Sequence, residues 1–174
     1  MFGQSKYWMA FIGLFMLIAA VGCGATSATV ESKSLDLDVS FLTIEQQEQW
    51  KQIQGENPGL VKYVVSQADN GISYTSPTAY SMNILEAVTN TQMSGPDRNI
   101  LYAVVGYAAA GKSAFLGEIL AREISDTVLR DAVLIRVVDT YASRDLGRTN
   151  ALRVLDTIQG KAARDVAYTI LAAK

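Results

Sequence analysis

The chain has no histidine and a single cysteine, Cys23, and these two scarcities exclude most familiar catalytic sites. Without histidine there is no Ser-His-Asp or Cys-His nucleophilic site and no histidine-ligated zinc or haem. A single cysteine cannot form a disulfide within the chain. Apart from the thiol of Cys23, any catalysis would depend on carboxylates, lysine, tyrosine and hydroxyl groups. We therefore predict no metal site and no bound cofactor.

Positive charge is scarce in the first half of the chain. All eight arginines lie in residues 97–174, where eleven basic and nine acidic residues give a net charge of +2. Residues 23–96 hold three lysines and eight acids, a net charge of −5. Mixed charges at helical spacing are typical of a solvated face. Because the whole chain is also net acidic, we predict no nucleic-acid partner.

The longest apolar run lies near the start of the chain, at residues 7–21. Lys6 precedes this run, and small residues and Cys23 follow it, which is the order of a secretory signal. The ending Ala20-Val21-Gly22-Cys23 resembles the lipobox of bacterial lipoproteins, in which the signal is cut before a cysteine that carries lipid. The resemblance implies a signal peptide at 1–22 and lipidation of Cys23. An uncleaved membrane helix is the alternative, but a span needs about 20 apolar residues.

This resemblance also implies a location and a first partner, the membrane that the lipid enters. In a cell with two membranes, Gly24 rather than aspartate after the cysteine implies the periplasmic face of the outer membrane. We predict a lipid-anchored tether at 23–42 and a helical domain at 43–174. Within the tether, residues 35–41 alternate apolar and polar side chains, so they either pack along the domain or stay loose.

Helix signals dominate from residue 43 onward. Thr43 and Gln46 have the spacing of a capping box, and Gly55 is predicted to end that helix. Gly71 is predicted to end the following one. Pro77 follows a serine, the favoured order of cap and first helical residue. The sequence therefore predicts an all-α fold.

Two internal similarities suggest that the helices repeat. Residues 83–95 and 99–111 agree at five leading positions and at a final glycine, 16 residues apart. Arg98, Arg130 and Arg164 lead similar segments 32 and 34 residues apart. The pattern resembles HEAT-like α-helical repeats, which implies short helices packed as helical hairpins. An irregular helical bundle remains the alternative.

One motif points to nucleotide binding. Gly106, Gly111, Lys112 and Ser113 match the P-loop pattern G-x-x-x-x-G-K-[ST], and Asp139 follows an apolar run that could be a magnesium-bearing strand. However, Tyr and three alanines between the glycines favour a helix. The 61 residues after Ser113 are too few for a nucleotide-binding sheet. We interpret the match as accidental, with Gly111 ending one helix and Lys112 starting the next.

Charged side chains supply the remaining candidates. A carboxylate pair for glycoside hydrolysis would come from Glu118, Glu123, Asp126 and Asp131. Their spacing with nearby arginines instead favours solvated ion pairs. Arg136 lies in the apolar run 133–138, so we predict partial burial and an ion pair with Asp139 on a helix, although the run could also be a strand.

No candidate gives a complete catalytic site, so we predict no catalytic residue. We expect a lipid-anchored envelope protein that acts as a non-catalytic adaptor or accessory subunit for an envelope protein partner. The alternatives are a small hydrolase of peptidoglycan or glycan that uses carboxylates, and a nucleotide-binding protein.

Overall fold

The computed structural model describes residues 35–73 and 76–174. The predicted signal, Cys23 and most of the predicted tether lie outside these residues. Eight α-helices make up most of the described chain: α1 (Ile44–Glu56), α2 (Pro58–Ser73), α3 (Pro77–Thr89), α4 (Gly95–Lys112), α5 (Ala114–Arg122), α6 (Thr127–Ala142), α7 (Arg148–Leu155) and α8 (Lys161–Ala172). The described residues contain no strand, and the predicted all-α fold is confirmed.

The helices contact each other in the order of stacked hairpins. Helix α2 packs on α3, α4 on α5, and α6 on α7. The first helices of successive hairpins also meet, since α4 contacts both α2 and α6, and α6 contacts α8. The second helices α3 and α5 meet as well, and α1 covers parts of α2 and α4. Family membership in the HEAT-like repeats stays a prediction.

The longer of the two predicted repeats matches this stack. Arg98, Arg130 and Arg164 are each the fourth residue of a first helix, in α4, α6 and α8. The 16-residue similarity does not match it, because Asn83 is the seventh residue of α3 and Asn99 the fifth of α4. The repeating unit is a hairpin of about twice that length, so a 16-residue shift compares helices with different packing.

The fifth residue of α4 and of α6 joins its helix to the chain before the next first helix. The side-chain oxygen of Asn99, the fifth residue of α4, accepts a hydrogen bond from the Ser125 backbone N–H, 2.9 Å away, just before α6. Asp131, the fifth residue of α6, accepts the backbone N–H groups of Gln159 (3.2 Å) and Gly160 (2.7 Å), just before α8. These bonds satisfy amides that have no partner inside the helix.

Local capping sets the start of α1 as predicted, whereas α3 begins at Pro77 as predicted but without a side-chain capping bond from Ser76. The Thr43 hydroxyl accepts the Gln46 N–H at 3.3 Å, and the Gln46 side chain accepts the Thr43 N–H at 3.0 Å, so the capping box is confirmed. The predicted helix ends were wrong, because α1 continues past Gly55 and α2 past Gly71. A Cβ on Gly71 would lie 3.2 Å from Leu116 Cδ2, so this glycine permits close helix packing.

The extended segment before α1 packs on the helices. Leu35 and Leu42 are each only 4% exposed and belong to the core. The Leu35 backbone N–H donates to Asp69 Oδ2 at 3.1 Å. The end of the predicted tether is therefore part of the folded domain, which answers the question that its alternating pattern left open.

Helices α4 and α6 lie at the centre of the core. Every residue from 100 to 106 in α4 is buried, because this helix contacts helices on several sides. The apolar run 133–138 lies within α6 and is helical, so the strand alternative was wrong. Buried surroundings on most sides explain why this run shows apolar residues all round.

Candidate functional site

The residues that match the P-loop lie on one continuous helix up to its end. Gly106 is buried in α4, and a Cβ there would lie 3.3 Å from Leu120 and 3.4 Å from Val133. It therefore allows α5 and α6 to approach α4 closely. In a P-loop the backbone amides between the glycines face the phosphates, whereas in this helix they bond to carbonyls one turn earlier.

The helix boundary at the end of this segment lies at a different residue from the one we predicted. Gly111 and Lys112 both belong to α4, so Gly111 does not end the helix and Lys112 does not start the next. Ser113 is the residue shared by the two helices. Its backbone N–H donates to the Ala109 carbonyl, and its hydroxyl accepts the Leu116 N–H at 3.4 Å.

A cavity of about 260 Å³ lies beside Gly111, between the segment before α1 and helices α4 and α6. Arg136 lines it and bonds to Asp139 at 3.2 Å, which confirms the predicted ion pair. The Arg136 guanidinium carbon also lies 5.8 Å from the centre of the Tyr107 ring. Asp36, Asp38 and Lys112 line the same cavity, so with Arg136 it has two carboxylates and two cations and neither charge dominates.

The four candidate carboxylates have different roles. Asp126 caps α6, since its Oδ1 accepts the Leu129 N–H at 3.0 Å, and Glu123 is exposed. Glu118 and Asp131 are buried, so the expected solvent exposure was wrong for both. The expected ion pair with a nearby arginine is present for Glu118, which bonds to Arg122, whereas none is found for Asp131 among the described residues. The burial follows from their positions on helix faces that other helices cover. Asp131 binds backbone amides, and Glu118 binds arginines.

Glu118 lies beneath two arginines, one local and one distant in sequence. Arg153 of α7 forms a two-pronged ion pair with its carboxylate, at 2.8 Å to Oε1 and 2.7 Å to Oε2. Arg122, one turn further along α5, binds Oε1 at 2.7 Å. The Arg153 hydrogen bonds lower the pKa of Glu118, and those of Arg122 add to this against the opposing effect of burial.

The outer sides of these arginines face solvent. The side chains of Arg122 and Arg153 are 66% and 49% exposed, although their inner atoms bind Glu118. Burial, and then the nearby Glu118 charge, raise the pKa of Tyr141, which the guanidinium groups of Arg153, Arg144 and Arg122 partly offset. We call Arg122, Arg144 and Arg153 the arginine surface.

The arginine surface carries excess positive charge. Arg144 donates to the Lys112 carbonyl at 2.7 Å, and among the described residues it has no carboxylate partner. Among the described residues, Glu118 is the one carboxylate that bonds to any of these three guanidinium groups. An anionic partner would meet arginines that existing hydrogen bonds already hold in place.

A strained turn between α6 and α7 follows Arg144. Leu146 has a φ of 61°, a left-handed conformation that is costly for a leucine, and it is 97% exposed. Gly147 permits this turn, because a Cβ there would lie 1.9 Å from the Tyr141 carbonyl oxygen. An apolar side chain held fully in solvent on a strained backbone contributes little to folding, and strain of this kind is frequent at functional positions.

The arginine surface and Leu146 were not predicted from the sequence. The excess of arginine after residue 97 was visible, but the bond between Glu118 and Arg153 joins positions 35 residues apart. Nothing local marked Leu146 as exposed or left-handed. Only the turn residues Asp145 and Gly147 on either side of it were a usable signal.

Comparison with known proteins gives no relative for this chain. No family model matches it, and no match was found among curated proteins or among solved structures. Within residues 35–73 and 76–174, no helix is long and apolar enough to cross a membrane. The same residues contain no group of three or more side chains that could hold a metal ion.

Proposed function

We propose that the protein is a lipid-anchored envelope protein that acts as a non-catalytic adaptor and binds a protein partner at the arginine surface. The observation that carries this proposal is the arginine surface next to the fully exposed Leu146. Arginine is enriched among the residues that dominate protein interfaces, and its guanidinium group pairs with carboxylates through two parallel bonds.

The chemistry of the surface indicates an acidic partner segment with an apolar pocket. Glu118 holds Arg122 and Arg153 in fixed positions, which lowers the conformational entropy that binding would cost. Carboxylates of the partner would bind their exposed edges. Leu146 would enter an apolar pocket, because its 97% exposure leaves the whole side chain available for burial.

Photo-crosslinking in the cell tests this partner site. A photoreactive amino acid in place of Leu146 should give one dominant crosslinked protein, and Arg122→Glu with Arg144→Glu should reduce that product at least tenfold. Lys62→Glu with Lys51→Glu makes the same charge change on exposed residues of α1 and α2 and should leave the product intact. Equal loss in both double variants would contradict the proposal.

The anchor is tested separately at Cys23. If the lipobox resemblance holds, Cys23→Ser should abolish incorporation of labelled fatty acid and release the protein from the membrane fraction. Inhibition of signal peptidase II should cause the uncut wild-type chain to accumulate. A Cys23→Ser protein that still carries lipid would contradict the anchor without affecting the crosslinking result.

A further inference from the structure

The last first helix repeats a residue that joins hairpins elsewhere in the stack. Asp165 is the fifth residue of α8, the position of Asn99 in α4 and Asp131 in α6. Those two side chains accept backbone N–H groups in front of the next first helix. Among the described residues, the Asp165 carboxylate is bound only by Lys161 of the same helix, at 2.7 Å, with 60% of its side chain exposed.

The rest of this helix face is also uncovered. Positions eight and twelve lie on the same face as position five, one and two turns further along the helix. In α6 these positions are Leu134 and Val138, which are 4% and 0% exposed. In α8 they are Tyr168, which is 51% exposed, and Ala172, which is also exposed. The α8 face (Asp165, Tyr168 and Ala172) is thus a stacking face on which none of the described residues packs as a next helix would.

We propose that the α8 face binds a helical hairpin of a partner protein as one more unit of the stack, with Asp165 accepting backbone N–H groups just before the partner's first helix. The two occupied examples in this chain define that chemistry. A carboxylate also complements the partial positive charge at a helix start. The exposed Lys161 pair is weak and gives way without much cost.

A second copy of this chain fits the site less well. Helices α1 and α2, at the opposite end of the stack, have no free amides in front of them. The Thr43 N–H before α1 is bound by Gln46, and the Asn57 N–H before α2 donates to the Ile53 carbonyl. The next residue, Pro58, has no N–H. Of these two occupants, a different protein fits the chemistry better than a second copy. This surface is separate from the arginine surface, so the proposal goes beyond the proposed function and does not rest on it.

An extended chain tests whether the face accepts a hairpin. A second copy of residues 143–174 is attached after Lys174 of the full chain. The α8 helix of this second copy, with its own Gln159 and Gly160 before it, can then pack on Asp165 of the first copy. Nitration of Tyr168 in the first copy should slow at least tenfold relative to the natural chain, because the ring becomes buried. Unchanged nitration would overturn the proposal.

Variants of Asp165 show whether the contact is the one inferred. In the first copy of the extended chain, Asp165→Ala should restore rapid nitration of Tyr168. Asp165→Asn should keep nitration slow, because the amide oxygen of Asn99 in α4 accepts the corresponding backbone N–H. Asp156→Ala, a change at an exposed acid after α7, is the matched control and should have no effect. Equal behaviour of Asp165→Ala and Asp165→Asn would overturn the assigned contact.

The oligomeric state of the natural chain distinguishes the two possible occupants. Sedimentation of the full chain in detergent should show a monomer from micromolar to near-millimolar concentration. Self-association that Asp165→Ala abolishes would overturn the assignment to a different protein.

Discussion

At the scale of single residues, Glu118 is a buried carboxylate whose two arginine partners reach the protein surface. A buried carboxylate costs free energy unless charged partners compensate it, and here Arg122 and Arg153 supply those partners while their outer edges stay in solvent. The same hydrogen bonds that stabilise Glu118 inside the protein also hold the two arginines in place. If the proposed partner site is right, stability and recognition both depend on this one carboxylate.

Replacing this carboxylate should destabilise the fold. Glu118→Gln keeps the shape but removes the charge that two arginines share, so we expect the free energy of unfolding at pH 7 to fall by about 2 kcal/mol. Chemical denaturation followed by circular dichroism measures it. Glu123→Gln, at an exposed acid just after the same helix, is the control and should change little. Equal effects in the two variants would refute this role of Glu118.

The lowered pKa of Glu118 gives a dependence on pH with a definite sign. Because the folded pKa lies below the ordinary value of 4.5, the carboxylate contributes stability above about pH 4.5 that is lost as the pH falls through the folded pKa. The stability difference between the wild type and Glu118→Gln should therefore shrink from pH 6 to pH 3. A difference that stays constant over this range would contradict the assigned cause.

Leu146 should show the opposite relation between stability and binding. Its φ of 61° costs a leucine roughly 1 kcal/mol, and asparagine tolerates this conformation better. Leu146→Asn should thus raise the free energy of unfolding by up to about 1 kcal/mol while it weakens partner binding. Leu152→Asn, at a half-exposed leucine of α7, should bring no such gain. Denaturation curves of both variants decide this.

At the scale of helices, side chains at repeated positions hold successive hairpins together. Asp131 satisfies two backbone N–H groups before α8, so Asp131→Ala should cost about 2 kcal/mol and increase amide exchange at Gln159 and Gly160. Asp131→Asn should recover most of this, as Asn99 does in α4. If the alanine and asparagine variants exchange equally fast, the side-chain oxygen is not what holds this helix start.

At this scale, a helix start could be predicted from the sequence, whereas helix ends could not. Helix starts were predictable at Thr43 because the capping box closes within four residues. The helix end at Gly71 was not, because a glycine that allows close packing has the same letter as one that ends a helix. Gly55 has open space around it, and α1 runs only one residue past it. The 32- and 34-residue recurrence of Arg98, Arg130 and Arg164 was informative, since it records the hairpin itself.

The site could be predicted far less well than the fold. The Arg136–Asp139 pair was foreseen because both residues lie on one helix, three positions apart. The contact between Glu118 and Arg153 depends on how α5 packs against the chain around α7, which local patterns do not specify. The P-loop match was misleading for the opposite reason. Its letters are local, but the segment is a helix and not a loop, so its backbone amides cannot surround a phosphate.

At the scale of the whole molecule, an adaptor needs two separate surfaces, and the described chain offers two of different chemistry. The arginine surface presents fixed cations beside the apolar Leu146, whereas the α8 face presents a carboxylate beside Tyr168. Opposite charge requirements prevent one partner segment from serving both. Under the proposed adaptor function, this difference in chemistry would let the protein bring two distinct proteins together.

The segment before α1 should contribute to the stability of the whole domain. Leu35 and Leu42 are each 4% exposed in the core, so truncating either to alanine removes buried apolar surface and leaves a cavity. We expect Leu35→Ala and Leu42→Ala each to lower the free energy of unfolding by about 2 kcal/mol, less if the segment rearranges. Asp36→Ala, at an exposed neighbour, is the control. If the leucine variants unfold at the same denaturant concentration as this control, the segment is an attachment to the domain, and the folded unit begins at Thr43.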